Sequence, residues 1–289
     1  MTEDVLVCPL CKNVNSKLFD QREFRGQKVI NRLCLNCGLV YQSPRMSKVE
    51  AAEFYQAEYR ELYQGDENPI AKDFSTQNAR AESLFNFVRP HISAVSRHLD
   101  IGCSTGLILQ HSNKLYGCQV VGIEPGDAYQ NYASQQGLKV YKTLVALENA
   151  GEEKFDLISM SHVLEHLPDP VGYLIHLREE LLDPHGCLLL EVPNLYAHDS
   201  FEVAHLVSFS SHTLIQTVEK AGFKIVEFNL HGFPRSQLLP LYISVLARPA
   251  AGQIHTLHPE KHVMLKRWLG MFRRRVLERI FPRQTWIPG

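Results

Sequence analysis

The sequence predicts an α/β protein built on a doubly wound parallel sheet, and three stretches carry that prediction. In the first, His98-Leu99-Asp100-Ile101-Gly102-Cys103-Ser104-Thr105-Gly106 reads as a short apolar strand ending in an acid, then a glycine turn opening a helix over Leu107–Leu115. In the second, Cys118–Ile123 is another strand, and it ends in Glu124. Strand, glycine turn, helix, strand and acid form the nucleoside-binding half of such a sheet. The third, Phe155–Met160, is almost continuously apolar, as a strand covered on both faces must be.

Composition bounds what surrounds that sheet. A chain of 289 residues, 45% hydrophobic and 21% charged, suits one globular domain with appendages. The net charge of −1 carries no overall nucleic-acid or membrane signature. No stretch approaches the roughly 18 apolar residues of a membrane span. Met1-Thr2-Glu3-Asp4 is acidic and lacks the apolar core of a signal peptide. Of seven cysteines, four stand in two Cys-x-x-Cys pairs, which points to metal binding in a reducing cytoplasm rather than disulfides. The cytoplasm is the expected location, with the inner face of the membrane as the second choice.

Residues 1–45 read as a zinc ribbon. Cys8-Pro9-Leu10-Cys11 and Cys34-Leu35-Asn36-Cys37-Gly38 are two matching knuckles, 22 residues apart, with a hairpin expected across Phe19–Leu33. Four thiolates can hold one zinc tetrahedrally in a closed structural site. Two unrelated cysteine pairs, or a redox dithiol, are the alternatives. Residues 46–90 read as connecting helices over the cofactor mouth. Val49, Ala52, Phe54, Tyr55 and Tyr59 keep helical spacing within Lys48–Tyr63, and a second helix is expected over Phe74–Val88. Tyr59, Tyr63 and Arg80 can reach a ligand from there, or simply pack.

Residues 91–250 hold the core. After Glu124 come a helix over Ala128–Gln136, stopped by Gly137, and a short strand over Leu138–Tyr141. Beyond Phe155–Met160, a helix is expected over Val171–Leu182, a turn at Asp183-Pro184-His185-Gly186, and a strand over Cys187–Val192. A rim segment, His198–Ser210, precedes the helix Ser211–Ala221 and two closing strands, Lys224–Leu230 and Leu241–Ala247. Seven strands result. Residues 251–289 form a basic tail, where eight Lys or Arg against two acids between Pro259 and Arg283 give a local +6. Met264, Leu265, Trp268, Leu269, Phe272, Val276 and Ile280 recur there on one helical face. The 259–283 helix is therefore expected to dock on its own domain, to self-associate, or to make peripheral contact with an anionic membrane.

Two motifs carry a family resemblance. Asp100-x-Gly102-x-Ser104-x-Gly106 resembles the first motif of class I S-adenosylmethionine (SAM) methyltransferases, with Ser104 where the middle glycine is usual. Ser161-His162-Val163-Leu164-Glu165-His166-Leu167-Pro168-Asp169-Pro170 resembles the post-strand motif of ubiquinone-pathway O-methyltransferases. The order of ribbon, connecting helices and SAM core, over about residues 8–247, is similar to bacterial deoxysugar C-methyltransferases. The resemblance implies a Rossmann-like, seven-stranded class I methyltransferase core. It implies cofactor contacts at Asp100, Gly102, Cys103, Gly106, Glu124, Pro125, Ser161 and His162. It also implies an acid near the third strand for the adenine amine, for which Glu148 is the nearest candidate. His166 starts a turn under the site, with a buried histidine held by backbone as the plainer role. Where the sugar enzymes carry Tyr-x-Glu-His in the rim segment, this chain has Glu202-Val203-Ala204-His205, retaining the histidine alone.

The expected chemistry follows. A sulfonium methyl is already electrophilic, so the protein has to position the acceptor in line and remove its proton. His205 is the candidate general base and His162 the second; a histidine capping the next helix is the alternative for His205. The expected function is SAM-dependent methylation of a small molecule, a nucleotide- or lipid-linked sugar of a bacterial surface-polysaccharide or natural-product pathway. An RNA methyltransferase is the alternative. Few ribbon cations interleave with aromatics, however, so nucleic acid is not the expected partner. A non-catalytic SAM-fold interaction protein is the third reading, opposed by the intact set Asp100, Gly102, Gly106 and Glu124.

Overall fold

Alternating strands and helices force crossover connections, and crossovers of one hand lay consecutive strands parallel. A computed structural model describes residues 2–47, 50, 68–250 and 256–287 of the chain. The ribbon contributes β1 (Ser16–Phe24), β2 (Gln27–Cys34) and β3 (Val40–Gln42). Helix α1 (Ala71–Val88) leads into β4 (Arg97–Ile101), α2 (Leu107–Tyr116), β5 (Gln119–Ile123), α3 (Asp127–Gln135) and β6 (Lys139–Tyr141). Then follow α4 (Leu144–Asn149), β7 (Phe155–Ser161), α5 (Pro170–His176), β8 (Leu182–Pro193) and β9 (Val207–Ser208). Last come α6 (Ser211–Lys220), β10 (Phe223–His231), β11 (Tyr242–Pro249) and α7 (Val263–Ile280).

Seven of these strands make the central sheet, in the order β10-β11-β8-β7-β4-β5-β6. The five from β6 to β8 are parallel, and β11 is inserted antiparallel between β8 and β10. Strand order reverses beside β4, so a crevice opens outside the carboxyl ends of β4 and β7. The expected turn at residues 183–186 is instead a bulge within β8. Leu182 pairs with Phe155 and Cys187 with Leu157, so the intervening residues leave the ladder. The helix before it ends in one π turn, Leu177–Leu181.

The ribbon is not a separate body. The rim strand β9 pairs antiparallel with β3 (Val207 opposite Tyr41, Ser208 opposite Val40) and becomes the fourth strand of the ribbon sheet. Cys8, Leu10, Cys34, Cys37, Leu39 and Tyr41 share one apolar cluster with Leu99, Ile158, Leu190 and Phe209 of the core. Pairing between a two-residue strand and a distant hairpin is set by this packing and not by local pattern, which is why the boundary at residue 45 does not coincide with a gap in the core.

The tail helix docks on its own domain, but through the face opposite its apolar stripe. Val263 and Arg267 are buried against the domain, while Leu265, Trp268, Leu269, Phe272 and Ile280 remain at least half exposed. Among the described residues no helix is long and apolar enough to cross a membrane. Tyr59 and Tyr63, with most of the expected 48–63 helix, lie outside the described residues.

Candidate active site

The turn after β4 makes the floor of the crevice. Its residues Gly102, Ser104 and Gly106 all take positive φ (76°, 52° and 81°). The positive φ favours glycine at both positions, and a Cβ there would also have to push aside Val163 Cγ2 at Gly102 and Leu138 Cδ1 at Gly106. The amides of Gly102 and Cys103 both donate to the Ile123 carbonyl (2.8 and 2.9 Å), tying the turn to the end of β5. Glu124 follows at once. Its Oε2 accepts from the Ser104 amide (2.9 Å) and its Oε1 from the Gly126 amide (3.0 Å), which fixes the carboxylate at the cavity wall. From above, Gln77 of α1 donates to Ser104 Oγ (3.1 Å) and accepts from Thr105 Oγ1 (2.5 Å).

Gly102, Cys103, Glu124, Pro125, Ser161, His162 and His205 all line one cavity of about 630 Å³. Asp100 and Gly106 do not. Asp100 lies sealed beneath the turn, where Ser159 Oγ donates to its Oδ1 (2.5 Å) and His98 Nε2 meets the same hydroxyl (2.8 Å). Burial pushes the Asp100 carboxyl up to about 7 and the His98 imidazole down to about 3. Asp100 thus lies behind the cavity lining, tied to β7 through Ser159. Glu148 is also turned away, with its carboxylate on His176 Nε2 (2.5 Å); Lys142, Thr143 and Leu144 stand at that end of the cavity.

The opposite wall is built on buried Glu191 at the end of β8. Arg80 Nε (2.8 Å), Ser161 Oγ (3.1 Å) and His162 Nε2 (3.4 Å) converge on its Oε1, and His231 Nε2 lies 3.3 Å from Oε2. Burial alone would raise this carboxyl; Arg80 and the two histidines outweigh it and hold it well below the usual carboxylate range. His162 is held at φ 56°, a left-handed conformation that is costly for a side chain with a Cβ, by its amide bond to the Glu191 carbonyl (2.8 Å). Its ring stands edge-on to Tyr242 at 5.1 Å, and the Arg80 guanidinium lies 5.4 Å from the same Tyr242 ring.

A third cluster joins the post-strand turn to the rim segment. His166 Nδ1 donates to the Ala204 carbonyl (2.9 Å), the backbone-held role expected of it. His205 Nδ1 donates to the Ser200 carbonyl (2.8 Å), so its Nε2 is the atom that meets Glu202 Oε1 at 2.9 Å. The two imidazoles are 4.8 Å apart, and buried Glu165 sits beneath them, 3.4 Å from His162 Nδ1. Burial raises the Glu165 carboxyl, but His162, His166 and His205 outweigh it and bring it down to about 2. His205 shows the reverse balance: burial lowers it, and Glu202 with Glu165 more than restores it, so the imidazole is a stronger base than usual. His205 is not a helix cap; Ser210 is, in a reciprocal pair with Thr213. Glu202, three residues before the histidine, was hidden from motif reading because it does not occupy the usual position of the acid. Glu191, His198 and His231 carried no sequence signal beyond being polar near strand ends.

The four cysteines form a second site. Their sulfurs all lie within 4.8 Å of one another, with Cys8–Cys37 at 3.6 Å and Cys11–Cys34 at 3.4 Å. Sulfurs around a tetrahedral zinc, at Zn–S of about 2.3 Å, stand roughly 3.7–3.8 Å apart, so the donor set and its spacing fit that ion. The knuckles repeat one geometry. The Lys12 amide bonds the Cys8 carbonyl (2.9 Å) and the Gly38 amide the Cys34 carbonyl (3.1 Å), both from positive φ.

Comparison with known proteins places this geometry. The family model described as a methyltransferase domain matches residues 74–228. Ubiquinone biosynthesis O-methyltransferase of Cereibacter sphaeroides is 34% identical over 153 residues, covering 50% of this chain and 60% of that protein. The protein of the same name from Dinoroseobacter shibae is 33% identical over 134 residues, 44% of this chain and 53% of its own length. The chain thus spans between about half and 60% of the length of these curated relatives. Among solved structures, Burkholderia thailandensis 1,6-didemethyltoxoflavin-N1-methyltransferase, bound to 1,6-didemethyltoxoflavin and S-adenosylhomocysteine, gives a TM-score of 0.58 at 18% identity over 80% of this chain and 99% of its own. A SAM-dependent methyltransferase of Leishmania major gives 0.52 at 20% identity, over 68% and 82%. These structural likenesses show the fold.

Proposed function

The chain belongs to the methyltransferase domain family, and from that premise we propose that its cavity binds SAM and directs the methyl group to a small-molecule acceptor. One observation carries the reading. A glycine turn and a fixed carboxylate, Glu124, share a single cavity with a histidine–carboxylate pair, His205–Glu202. In this reading Glu124 takes the ribose hydroxyls, and the methionine end lies along the cavity-lining turn at Gly102 and Cys103. Ser161 and His162 shelve the cofactor. When bound, SAM supplies an electrophilic methyl carbon and a neutral thioether leaving group.

The chain's own residues then have two tasks. Arg80 and His162, drawn together on buried Glu191, form a wall that holds the acceptor in line. His205 in its neutral form, made more basic by Glu202, takes the acceptor proton at Nε2, the acceptor hydroxyl displacing Glu202 Oε1 from that nitrogen, as the new bond to carbon forms. The acceptor class proposed is a sugar, nucleotide- or lipid-linked, supported by the polar rim of His162, His198, Glu202 and His205. The names of the relatives favour a second reading, O-methylation of a ubiquinone-pathway phenol. We also assign one structural zinc to Cys8, Cys11, Cys34 and Cys37, supported by the sulfur spacing.

Calorimetric titration tests the cofactor assignment. Glu124→Ala removes charge-assisted hydrogen bonds worth about 1.5–3 kcal/mol each, so SAM affinity should fall at least tenfold. Unchanged affinity would sink the assignment. Turnover of a phenolic acceptor but not of nucleotide sugars would select the second reading.

A further inference from the structure

Helix α7 is inverted relative to the usual amphipathic helix of a globular protein. Its cations hold it to the domain. Buried Arg267 donates to the carbonyls of Leu195 (2.5 Å) and His198 (2.7 Å) and pairs with Asp199 (2.9 Å). Arg274 donates to the Ala197 carbonyl (3.2 Å), and Gly270 backs so closely on Tyr196 that a Cβ would collide with its carbonyl. The apolar residues face outward. Leu265, Trp268, Leu269, Phe272 and Ile280 are 50–61% exposed, and Trp268 and Phe272 stack with ring centroids 5.7 Å apart.

Charge says what covers this face. Exposed Arg273, Arg275 and Arg279 border the stripe, exposed Arg283 follows just past the helix, and among the described residues none of them has an ion-pair partner. The acids nearest in sequence are already engaged: Glu260 with Lys266, and Glu278 with Arg274. A second copy docked face to face would set arginine against arginine, with no carboxylate to pair them. Lipid headgroups carrying negative charge would pair them, while the rings and aliphatic side chains enter the acyl boundary.

We propose that the outer face of α7 lies in the surface of an anionic lipid bilayer. The helix would seat there without leaving the domain, since its docking residues are on the other side. Through Arg267 it also grips the segment carrying His198, which lines the cavity, so the lipid-facing surface and the cavity wall are mechanically one piece.

Co-sedimentation of the full chain with vesicles of phosphatidylcholine, with and without phosphatidylglycerol, tests this. Binding should require phosphatidylglycerol and weaken as salt is raised. It should weaken about fivefold for each of Arg275→Gln and Arg279→Gln, and be lost in Trp268→Asp/Phe272→Asp. These side chains are exposed, so an unchanged melting temperature confirms that the variants are folded. Vesicle binding that ignores phosphatidylglycerol, or that the aspartate variant retains, would overturn the proposal. So would a dimer in sedimentation velocity that this variant dissociates while the wild type leaves vesicles unbound.

Discussion

At the scale of single residues, the proposed base rests on two side chains and not one. His205 offers Nε2 to Glu202 because its Nδ1 is committed to the Ser200 carbonyl. Glu202 both lines the cavity and is the main group holding the imidazole above its ordinary 6.5 against burial. A base must be unprotonated to act, so kcat/KM should rise with pH through a limb above 6.5. Removing Glu202 takes away the support, and Glu202→Gln should shift that limb to lower pH. His205→Ala should cost about 10²–10⁴-fold in turnover while SAM affinity and melting temperature stay put. A fall in turnover that merely tracks stability would make His205 scaffolding. Motif reading reached His205 but not Glu202, because the pair is closed by a turn that brings i and i+3 together. Asp100, expected as a cofactor contact, lies behind the lining of the cavity, and sequence proximity to the glycine turn does not reveal that depth.

At the scale of elements, most of the architecture was legible because each strand and helix carries its own signal. Continuous apolar runs marked β7, the glycine turn marked β4–α2, and matched Cys-x-x-Cys knuckles marked the four-cysteine cluster. What was not legible is tertiary. Nothing local in Val207–Ser208 marks a partner for Tyr41, and helical spacing shows that α7 has an apolar face but not which face docks. The β3–β9 pairing has a consequence for the metal. The proposed zinc would cross-link the knuckles and so support β3; the Gln42 amide, bonded to the Leu206 carbonyl (2.9 Å), ties β3 to the rim segment. Elemental analysis should give one zinc per chain, absent from Cys34→Ser. In that variant hydrogen exchange should rise across Val40–Gln42 and residues 200–209, and turnover should fall, while SAM binding at Glu124 and the far-ultraviolet spectrum hold. Exchange confined to the knuckles would separate the ribbon from the catalytic rim.

At the scale of the whole molecule, resistance to acid depends on groups that pull in opposite directions. Burial takes His98 from an ordinary 6.5 down to about 3; His198 falls to about 3 and His166 to about 4, also mainly through burial. The unfolded chain binds protons that these rings refuse, so their contribution is whole above pH 6.5 and drains away as pH falls toward the folded values. Asp100 has the opposite sign. Its carboxyl rises from 3.8 to about 7, so its cost grows as pH rises through that window and acidification relieves it. Glu165, lowered from 4.5 to about 2, sides with the histidines but only below pH 4.5. Between pH 6.5 and 4.5 three histidines therefore oppose one carboxyl. His166 and His198 border the cavity, where water screens them, so each counts for less than sealed His98. With one pH unit worth 1.36 kcal/mol per proton, the net loss is on the order of 1–2 kcal/mol per pH unit. The melting temperature should be lower at pH 5 than at pH 7, and Asp100→Asn should steepen that fall by removing the one group that resists it. A melting temperature that holds or rises on acidification would mean that these rings take up protons in the folded state.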